Sequence, residues 1–134
     1  MYHIIYMSTA VRRFSGEELE ALLTISRRNN PAWGVTGLLL YKDFSFLQVL
    51  EGEQATVEKL YSKIVQDNRH YGCTVFIREP ILAREFADWS MGFRDLDRSN
   101  GHASEGFNDI LQADKTDISG FPRKVRAFMK IFVA

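Results

Sequence analysis

Hydrophobic residues follow two kinds of pattern in the first two thirds of the chain. Two stretches place apolar residues three and four positions apart, which predicts a helix from Ser15 to about Asn29 and another from about Glu53 to Asp67. Short runs of β-branched and aromatic residues, or alternation of apolar and polar residues, predict five strands. The strands are Tyr2–Met7, Val35–Tyr41, Phe44–Glu51, Cys73–Arg78 and a last one through Trp89, Met91 and Phe93.

Capping and turn residues separate these elements. The segment Ser15–Glu18 has the spacing of a capping box, in which two side chains bond free backbone N–H groups of the first turn. Pro31 disfavours helical geometry at Asn30, so we expect the first helix to end there or just before. Lys42-Asp43 predicts a tight hairpin between the second and third strands. Gly72 is expected to interrupt regular secondary structure just before the fourth strand.

The order of the elements predicts the fold class. Strand–helix–strand–strand–helix–strand–strand is the order of an α+β, ferredoxin-like two-layer sandwich (βαββαββ), with both helices on one face of the sheet. Residues 97–101 then resemble a turn or linker, and two further helices are predicted, one around Ile110 and one opening at Pro122. We therefore divide the chain into residues 1–96 and a two-helix extension, 97–134. The apolar face of its last helix fits either a cover for the open sheet face or a subunit interface, and we expect the cover.

Composition narrows the class of protein. Hydrophobic residues make up 46% and charged residues 25% of the 134 positions, as in an ordinary soluble domain. Basic and acidic residues both number 17, so the net charge is zero and a nucleic-acid binder is not expected. The single cysteine, Cys73, excludes an intrachain disulfide and is expected to be buried. No signal peptide and no apolar run of about 20 residues is visible, which favours a cytoplasmic protein without a membrane span.

Four polar residues stand out against the apolar pattern. Gln48 interrupts Phe46–Leu50, a run apolar on both faces, and a buried amide costs free energy unless its hydrogen bonds are satisfied. Tyr6 lies on the buried face of the first strand, so its hydroxyl also needs a partner. Asn29 and Asn30 end the first helix. Each could simply bond locally, but together they place a phenol and three amides at the gap between two helices and a sheet, where a flat heteroaromatic ring could bind.

Other residues leave two interpretations open. Lys63 and Asp67 are one helical turn apart and form either an exposed ion pair or part of the rim of the same gap. Trp89 and Met91 are compatible with plain core packing. The three histidines are not at metal-ligand spacing, and no nucleotide-binding or nucleophile motif occurs. Arg12-Arg13 precedes a helix N-terminus and could hold a phosphate, so a phosphate-ester hydrolase on this fold is the alternative function.

Six motifs occur in a fixed order over about residues 2–95. They are Ile4–Ser8, Ser26–Pro31, Gly34–Tyr41, Phe46–Gly52, Asp67–His70 and Phe86–Met91. With these motifs the sequence resembles BLUF domains, the sensors of blue light that use FAD. The combination of Thr-Gly-Leu-Leu, Leu-Gln-Val-Leu-Glu-Gly and Trp-Ser-Met is specific. The resemblance implies a blue-light photoreceptor that binds FAD without a covalent bond.

The resemblance also implies residue roles. Tyr6 would donate an electron and then a proton after excitation, with Gln48 between it and the flavin. Trp89 and Met91 would relay the signal outward along the last strand. The residues implied in binding FAD are Tyr6, Ser8, Leu22, Asn29, Asn30, Gln48, Lys63, Ile64, Asp67 and Met91.

Within this set, the resemblance implies how the ring is held and how light changes the site. Leu22 and Ile64 would sandwich the flavin. Asn30 would bond its C4 carbonyl side, with Asn29 and Lys63 along its pyrimidine edge. Light would leave the glutamine in a new orientation or tautomer, without substrate turnover. The expected partner is a downstream signalling protein or a second copy of the chain in a homo-oligomer, and no metal is expected.

Overall fold

The computed structural model describes residues 1–87, 90–95, 123, 126–128 and 130. Within them, five strands form one sheet in the order β4-β1-β3-β2-β5, and two helices connect strands of that sheet. The elements are β1 (Tyr2–Ala10), α1 (Gly16–Trp33), β2 (Thr36–Lys42), β3 (Ser45–Gly52), α2 (Gln54–Val65), β4 (His70–Pro80) and β5 (Gly92–Asp95).

The sheet is antiparallel except at β5, which pairs with β2 in parallel. This order and connectivity confirm the predicted α+β class and the ferredoxin-like βαββαββ sandwich. Leu19 and Leu23 of α1 and Val57 of α2 join one core cluster with Ile4 and Leu50 of the sheet. Both helices therefore lie over the same sheet face.

α1 begins as predicted and ends later than predicted. The Ser15 hydroxyl accepts from the Glu18 N–H at 3.1 Å, and the Glu18 carboxylate accepts from the Ser15 N–H at 3.0 Å, which completes the capping box. The predicted end near Asn30 is wrong, because the helix continues through Pro31. A proline in the last turn removes one N–H donor, and the left-handed Gly34, with φ of 64°, ends the helix by donating to the carbonyls of Asn30 and Pro31.

Two turns also differ from the prediction. The hairpin between β2 and β3 turns at Asp43-Phe44, one residue later than expected, and these residues have φ values of 49° and 66°. Two successive left-handed residues match the twist of the paired strands. Gly72 does not break the chain before β4. It lies inside β4 with φ of 66°, beside a register irregularity between Met7 and Thr9 of β1.

The end of the chain is described only in part. β5 starts one residue after Met91, so Met91 precedes the strand and does not lie within it as predicted, whereas Trp89 lies outside the described residues. The helix predicted around Ile110 also lies outside them, and the division after residue 96 stays a prediction. Phe128 is helical and stacks on Phe76 of β4, with ring centroids 4.9 Å and ring planes 9° apart. A residue of the predicted last helix therefore contacts the sheet.

The sheet face opposite α1 and α2 is apolar and buried as well. Its residues alternate with those of the helix-facing core, and each is at most 2% exposed: Ile5, Leu38, Leu40, Leu47 and Val49. β3 is thus buried on both faces, as predicted for a central strand. A polar side chain on this strand is largely shielded from bulk water and needs hydrogen-bond partners inside the protein.

Replacing Ser15 with alanine should lower the free energy of unfolding by about 1 kcal/mol, because the Glu18 N–H loses its cap. Ser62→Ala is the matched control. Its exposed hydroxyl donates to the Glu58 carbonyl at 3.0 Å within α2, and alanine is the better helix former, so stability should hold or rise slightly. Urea unfolding measures both variants. Equal losses would show that the cap does not stabilise α1.

Candidate functional site: a cleft between the two helices

The register of β1 and β3 brings a tyrosine and a glutamine together. Tyr6 and Gln48 are Cα partners in the antiparallel ladder, so their side chains project from the same sheet face. Tyr6 is 2% exposed and Gln48 is 7% exposed. The Tyr6 hydroxyl donates to Oε1 of Gln48. Two polar residues that interrupt the apolar pattern are therefore each other's partners.

The other end of the Gln48 amide contacts a methionine. Nε2 of Gln48 donates to Sδ of Met91 at 3.5 Å, and Met91 is buried. A thioether sulfur is a weak acceptor, so the amide is held more firmly on its oxygen side than on its nitrogen side. Tyr6, Gln48 and Met91 form a continuous buried line from β1 through β3 to the residue before β5.

Burial keeps the Tyr6 phenol neutral. Desolvation raises the pKa of Tyr6 well above its ordinary value, and the negative charge that Cys73, Tyr61 and Asp67 carry when ionised raises it further. The Tyr61 ring meets the Tyr6 ring edge-on, with centroids 5.0 Å apart. Tyr6 therefore keeps its proton at neutral pH and remains a donor to Gln48.

A cleft of about 510 Å³ opens beside this line, between the helices and the sheet. Leu22 on α1 and Ile64 on α2 offer apolar surfaces, while the phenol and the amide supply polar groups from the sheet. The lining residues are Tyr6, Phe14, Leu22, Ser26, Leu39, Phe46, Gln48, Ile64, Asp67, Arg69 and His70. A flat heteroaromatic ring with polar edge groups fits this set.

Polar residues after α2 form one rim of the cleft. Arg69 donates to the Asp67 carboxylate through Nε at 2.9 Å and Nη2 at 2.5 Å, which lowers the pKa of Asp67 and raises the pKa of Arg69. The His70 ring bridges Oγ of Ser8, 2.7 Å from Nδ1, and the carbonyl of Ile64, 2.6 Å from Nε2. Because a carbonyl only accepts, Nε2 carries a hydrogen, and in the neutral ring Nδ1 accepts from Ser8.

The structure brings most of the predicted site residues to the cleft or to its rim. Ser8 reaches the rim through its bond to His70, and Met91 contacts Gln48. Cys73, which we expected to be buried, is half-buried with its sulfur 3.9 Å from His70 Nδ1. The predicted residues that line the cleft directly are Tyr6, Leu22, Gln48, Ile64 and Asp67.

Besides Ser8 and Met91, three predicted residues do not line the cleft. Asn30 is buried and its Nδ2 donates to the Ser90 carbonyl at 2.7 Å, which ties α1 to the segment before β5. Asn29 is half-buried on α1. Lys63 is exposed, and its ammonium lies 5.5 Å from the centroid of the Trp33 ring, away from the cleft. The binding roles of these residues stay predictions, and the geometry gives no support for Lys63 beside the ring.

Sequence reasoning missed six residues that line the cleft. Phe14 stands outside the motifs that carried the resemblance, and the other five stand in them: Ser26, Leu39, Phe46, Arg69 and His70. Phe14, Leu39 and Phe46 also have the pattern of ordinary core residues, so only the fold shows that they face a cavity.

Hydrogen bonds anchor both ends of the segment between β4 and β5. Glu51 of β3 is fully buried and accepts from the backbone N–H groups of Glu85 at 2.9 Å and Phe86 at 2.7 Å. At the other end, Nε of Arg27 donates to the carbonyl of Met91 at 3.1 Å. Met91 is therefore held through its backbone as well as through its sulfur.

Other chemistries find little support in the part of the chain that is described. There, no three His, Cys, Asp or Glu side chains lie close enough together to hold a metal ion. Likewise, no described helix combines the length and apolar character that crossing a membrane requires. In the loop Arg12-Arg13, which suggested a phosphate site, the Arg12 guanidinium pairs with the Glu18 carboxylate.

Comparison with known proteins identifies the class. The sequence model of the BLUF family, described as sensors of blue-light using FAD, matches residues 1–92. The chain therefore belongs to the BLUF family of flavin-based blue-light sensors, which confirms the resemblance in the motifs. The phosphate-ester hydrolase is not supported.

Relatives from several organisms share this part of the chain. The chain is 36% identical over 89 residues to photoactivated adenylate cyclase subunit beta of Euglena longa, covering 66% of this chain and 10% of that protein. It is 35% identical over 80 residues to the blue light- and temperature-regulated antirepressor BluF of Escherichia coli K12, covering 60% of this chain and 20% of that protein. The chain thus matches a tenth to a fifth of the length of these relatives.

Solved structures share the fold. The dark-state structure of the BLUF protein BlrB has a TM-score of 0.71 and 28% identity, covering 98% of this chain and 94% of that chain. The structure of Klebsiella pneumoniae BlrP1 with FMN and cyclic diGMP has a TM-score of 0.75 and 29% identity, covering 98% and 34%.

Asp67→Asn should destabilise the protein at neutral pH by about 0.5–1 kcal/mol, because Arg69 loses its charged partner. The pKa of Asp67 is lowered by folding, so its stabilisation is present above the ordinary carboxyl pKa of about 3.9 and disappears as pH falls through the lower folded value. Urea unfolding at neutral and acidic pH should show the difference between wild type and variant shrink below about pH 4.

The pairing has a second, independent check. In an Arg69→Gln background, Asp67→Asn should have little effect, because the partner has already gone. A loss that persists at low pH, or that is as large in this background, would contradict the pairing.

Proposed function

We propose that this chain is a blue-light photoreceptor that binds FAD without a covalent bond and signals by rearranging the hydrogen bonds of Gln48. The observation that carries the proposal is the buried line Tyr6–Gln48–Met91 beside a cleft of about 510 Å³. Membership of the BLUF family supports a flavin, and the family's description names FAD.

The cleft residues fit a flavin in their chemistry. Leu22 and Ile64 offer apolar surfaces from two different helices, and Tyr6 and Gln48 place hydrogen-bonding groups on the sheet below. When bound, the flavin supplies blue-light absorption and a strongly oxidising excited state. The chain binds the ring, excludes water from it and holds a neutral phenol and an amide beside it.

In this mechanism Tyr6 starts the change and Gln48 stores it. The raised pKa keeps the phenol protonated before excitation. Loss of an electron to the excited flavin would make its proton strongly acidic, so the proton would move along the hydrogen bond toward Oε1 of Gln48, and both electron and proton would return to Tyr6 as the site relaxes. The amide then turns or changes tautomer. A turned amide points its oxygen at the Met91 sulfur, which has no hydrogen to donate. Met91 must move, and a change at Gln48 becomes a displacement just before β5.

We further propose that the chain is not itself an enzyme and acts in the cytoplasm on a downstream signalling protein or on its own oligomer. The names of the relatives support coupling of light to a separate output, a cyclase in one case and an antirepressor in the other. The contact of Phe128 with Phe76 supports a C-terminal route for the signal. A net charge of zero argues against nucleic acid as the partner.

Gln48→Leu should still bind the flavin and stay yellow, since Leu22 and Ile64 remain, but should lose the light-induced red shift because leucine has no hydrogen bond to rearrange. Gln66→Leu makes the same change at an exposed position after α2 and should keep the full shift. Absorption spectra of the purified proteins, in the dark and after blue light, measure both. A normal shift in Gln48→Leu would remove this residue from the mechanism.

The same spectra separate Tyr6 from its neighbouring phenol. Tyr6→Phe should stay yellow and give no long-lived red-shifted state, because phenylalanine donates neither an electron readily nor a proton. Tyr61→Phe, whose ring lies 5.0 Å from that of Tyr6, should retain it. The opposite result would assign the donor role to Tyr61.

Met91→Ala should keep the red shift while weakening its transmission. Amide exchange of residues 97–134 should differ between dark and light in the wild type and differ much less in the variant. The cavity costs about 2–5 kcal/mol of stability and raises exchange in both states, so the light-minus-dark difference is the quantity to compare. Met7→Ala, on the opposite sheet face, controls for lost packing. An undiminished difference in Met91→Ala would mean that the signal leaves elsewhere.

A further inference from the structure

A second cavity of about 620 Å³ lies against the same two helices. Six described residues line it, one from the end of α1 and the others from α2: Trp33, Ala55, Thr56, Lys59, Leu60 and Lys63. None of these residues belongs to the flavin cleft, and none is acidic.

Helical periodicity places the two cavities along the same side of α1. On α1, Leu22, Ser26, Asn29 and Trp33 are spaced by four, three and four residues, so they lie along one stripe. The first two line the flavin cleft and the last lines the second cavity.

α2 shows the same continuity. Ile64 lines the flavin cleft, and Leu60, one turn earlier, lines the second cavity. Four residues of helix span about 6 Å along its axis. The linings of the two cavities therefore come within about one helical turn of each other along α2.

The second cavity combines an exposed aromatic ring with positive charge. Trp33 is 42% exposed, so much of its indole surface is accessible at a wall of this cavity. The Lys63 ammonium lies 5.5 Å from its ring centroid, and Lys59 lines the same wall. An indole that stacks on a base, beside two ammonium groups that pair with phosphates, suits a purine nucleotide.

We propose that the Trp33–Lys59–Lys63 cavity binds the adenosine diphosphate half of FAD. This inference rests on the proposed function, because it requires the isoalloxazine ring in the neighbouring cleft. It gives Lys63 a phosphate to bind instead of the ring edge that the resemblance implied. It also makes the chain selective among flavins, since riboflavin lacks both phosphates and FMN lacks the adenosine.

Flavin titrations of the apoprotein test the proposal. Quenching of flavin fluorescence gives the dissociation constants of riboflavin, FMN and FAD at low and high salt. Wild type should bind FAD at least about tenfold more tightly than riboflavin. The double variant Lys59→Gln/Lys63→Gln should lose most of this difference, and high salt should have the same effect on wild type. Trp33→Leu should weaken FAD while leaving FMN unchanged. Riboflavin should bind all variants equally.

Arg28→Gln is the charge-matched control. Arg28 is exposed on α1 and lines neither cavity, so its loss should leave the ratio of FAD to riboflavin affinity unchanged. ADP alone should compete with FAD and leave riboflavin bound.

Two failures are distinguishable. Equal binding of riboflavin and FAD, unmoved by the lysine and tryptophan variants, would overturn the nucleotide site and leave the flavin cleft standing. Failure of riboflavin, FMN and FAD alike to bind or to turn the protein yellow would overturn the proposed function and the nucleotide site with it.

Discussion

A buried amide on a strand that is covered on both faces is the constraint around which this protein is organised. Gln48 is only 7% exposed, so its oxygen and its nitrogen each require a hydrogen-bond partner at the site. The β1–β3 register supplies the phenol of Tyr6, and the segment before β5 supplies the sulfur of Met91. One partner is a good hydrogen-bonding group and the other is a weak one. The Tyr6 hydrogen bond therefore holds the amide in place, while the bond to the Met91 sulfur is the weaker one to break when the amide turns.

Both residues of this pair stand out in the sequence because each violates an otherwise consistent pattern, but their relation was implied only by the family resemblance and their contact follows from the β1–β3 register. A glutamine in Phe46–Leu50 and a tyrosine on a buried strand face are visible without coordinates, and the strand order places them side by side. The helix start at Ser15 was equally legible, since its capping box is a local signal. The later end of α1 was not, because Gly34 closes the helix more effectively than Pro31 interrupts it.

The sequence was less informative where the cavity that a residue faces depends on the exact rotation of a helix or the exact start of a strand. Lys63 and Ile64 are adjacent in sequence but about 100° apart on the helix, which sends one to the Trp33 cavity and the other to the flavin cleft. Arg69 and His70 reach the cleft because β4 already starts at His70. The sequence pattern had placed the start of this strand after Gly72, which instead lies within β4 beside a register irregularity. Phe14, Leu39 and Phe46 differ from core residues only in facing a cavity, which no local pattern reports.

The fully buried Glu51 bears on the direction in which the proposed signal from Gln48 would travel. It lies on the same strand as Gln48, three residues further along, and clamps the backbone at Glu85 and Phe86. The backbone a few residues before Met91 is thus hydrogen-bonded to β3, the strand that also carries Gln48. If light displaces Met91 as proposed, this clamp opposes motion toward Phe86, so the displacement would be directed toward β5, which pairs with β2 at the sheet edge. The buried Glu51 side chain near one end of β3 would then be the fixed point for a motion that starts at Gln48.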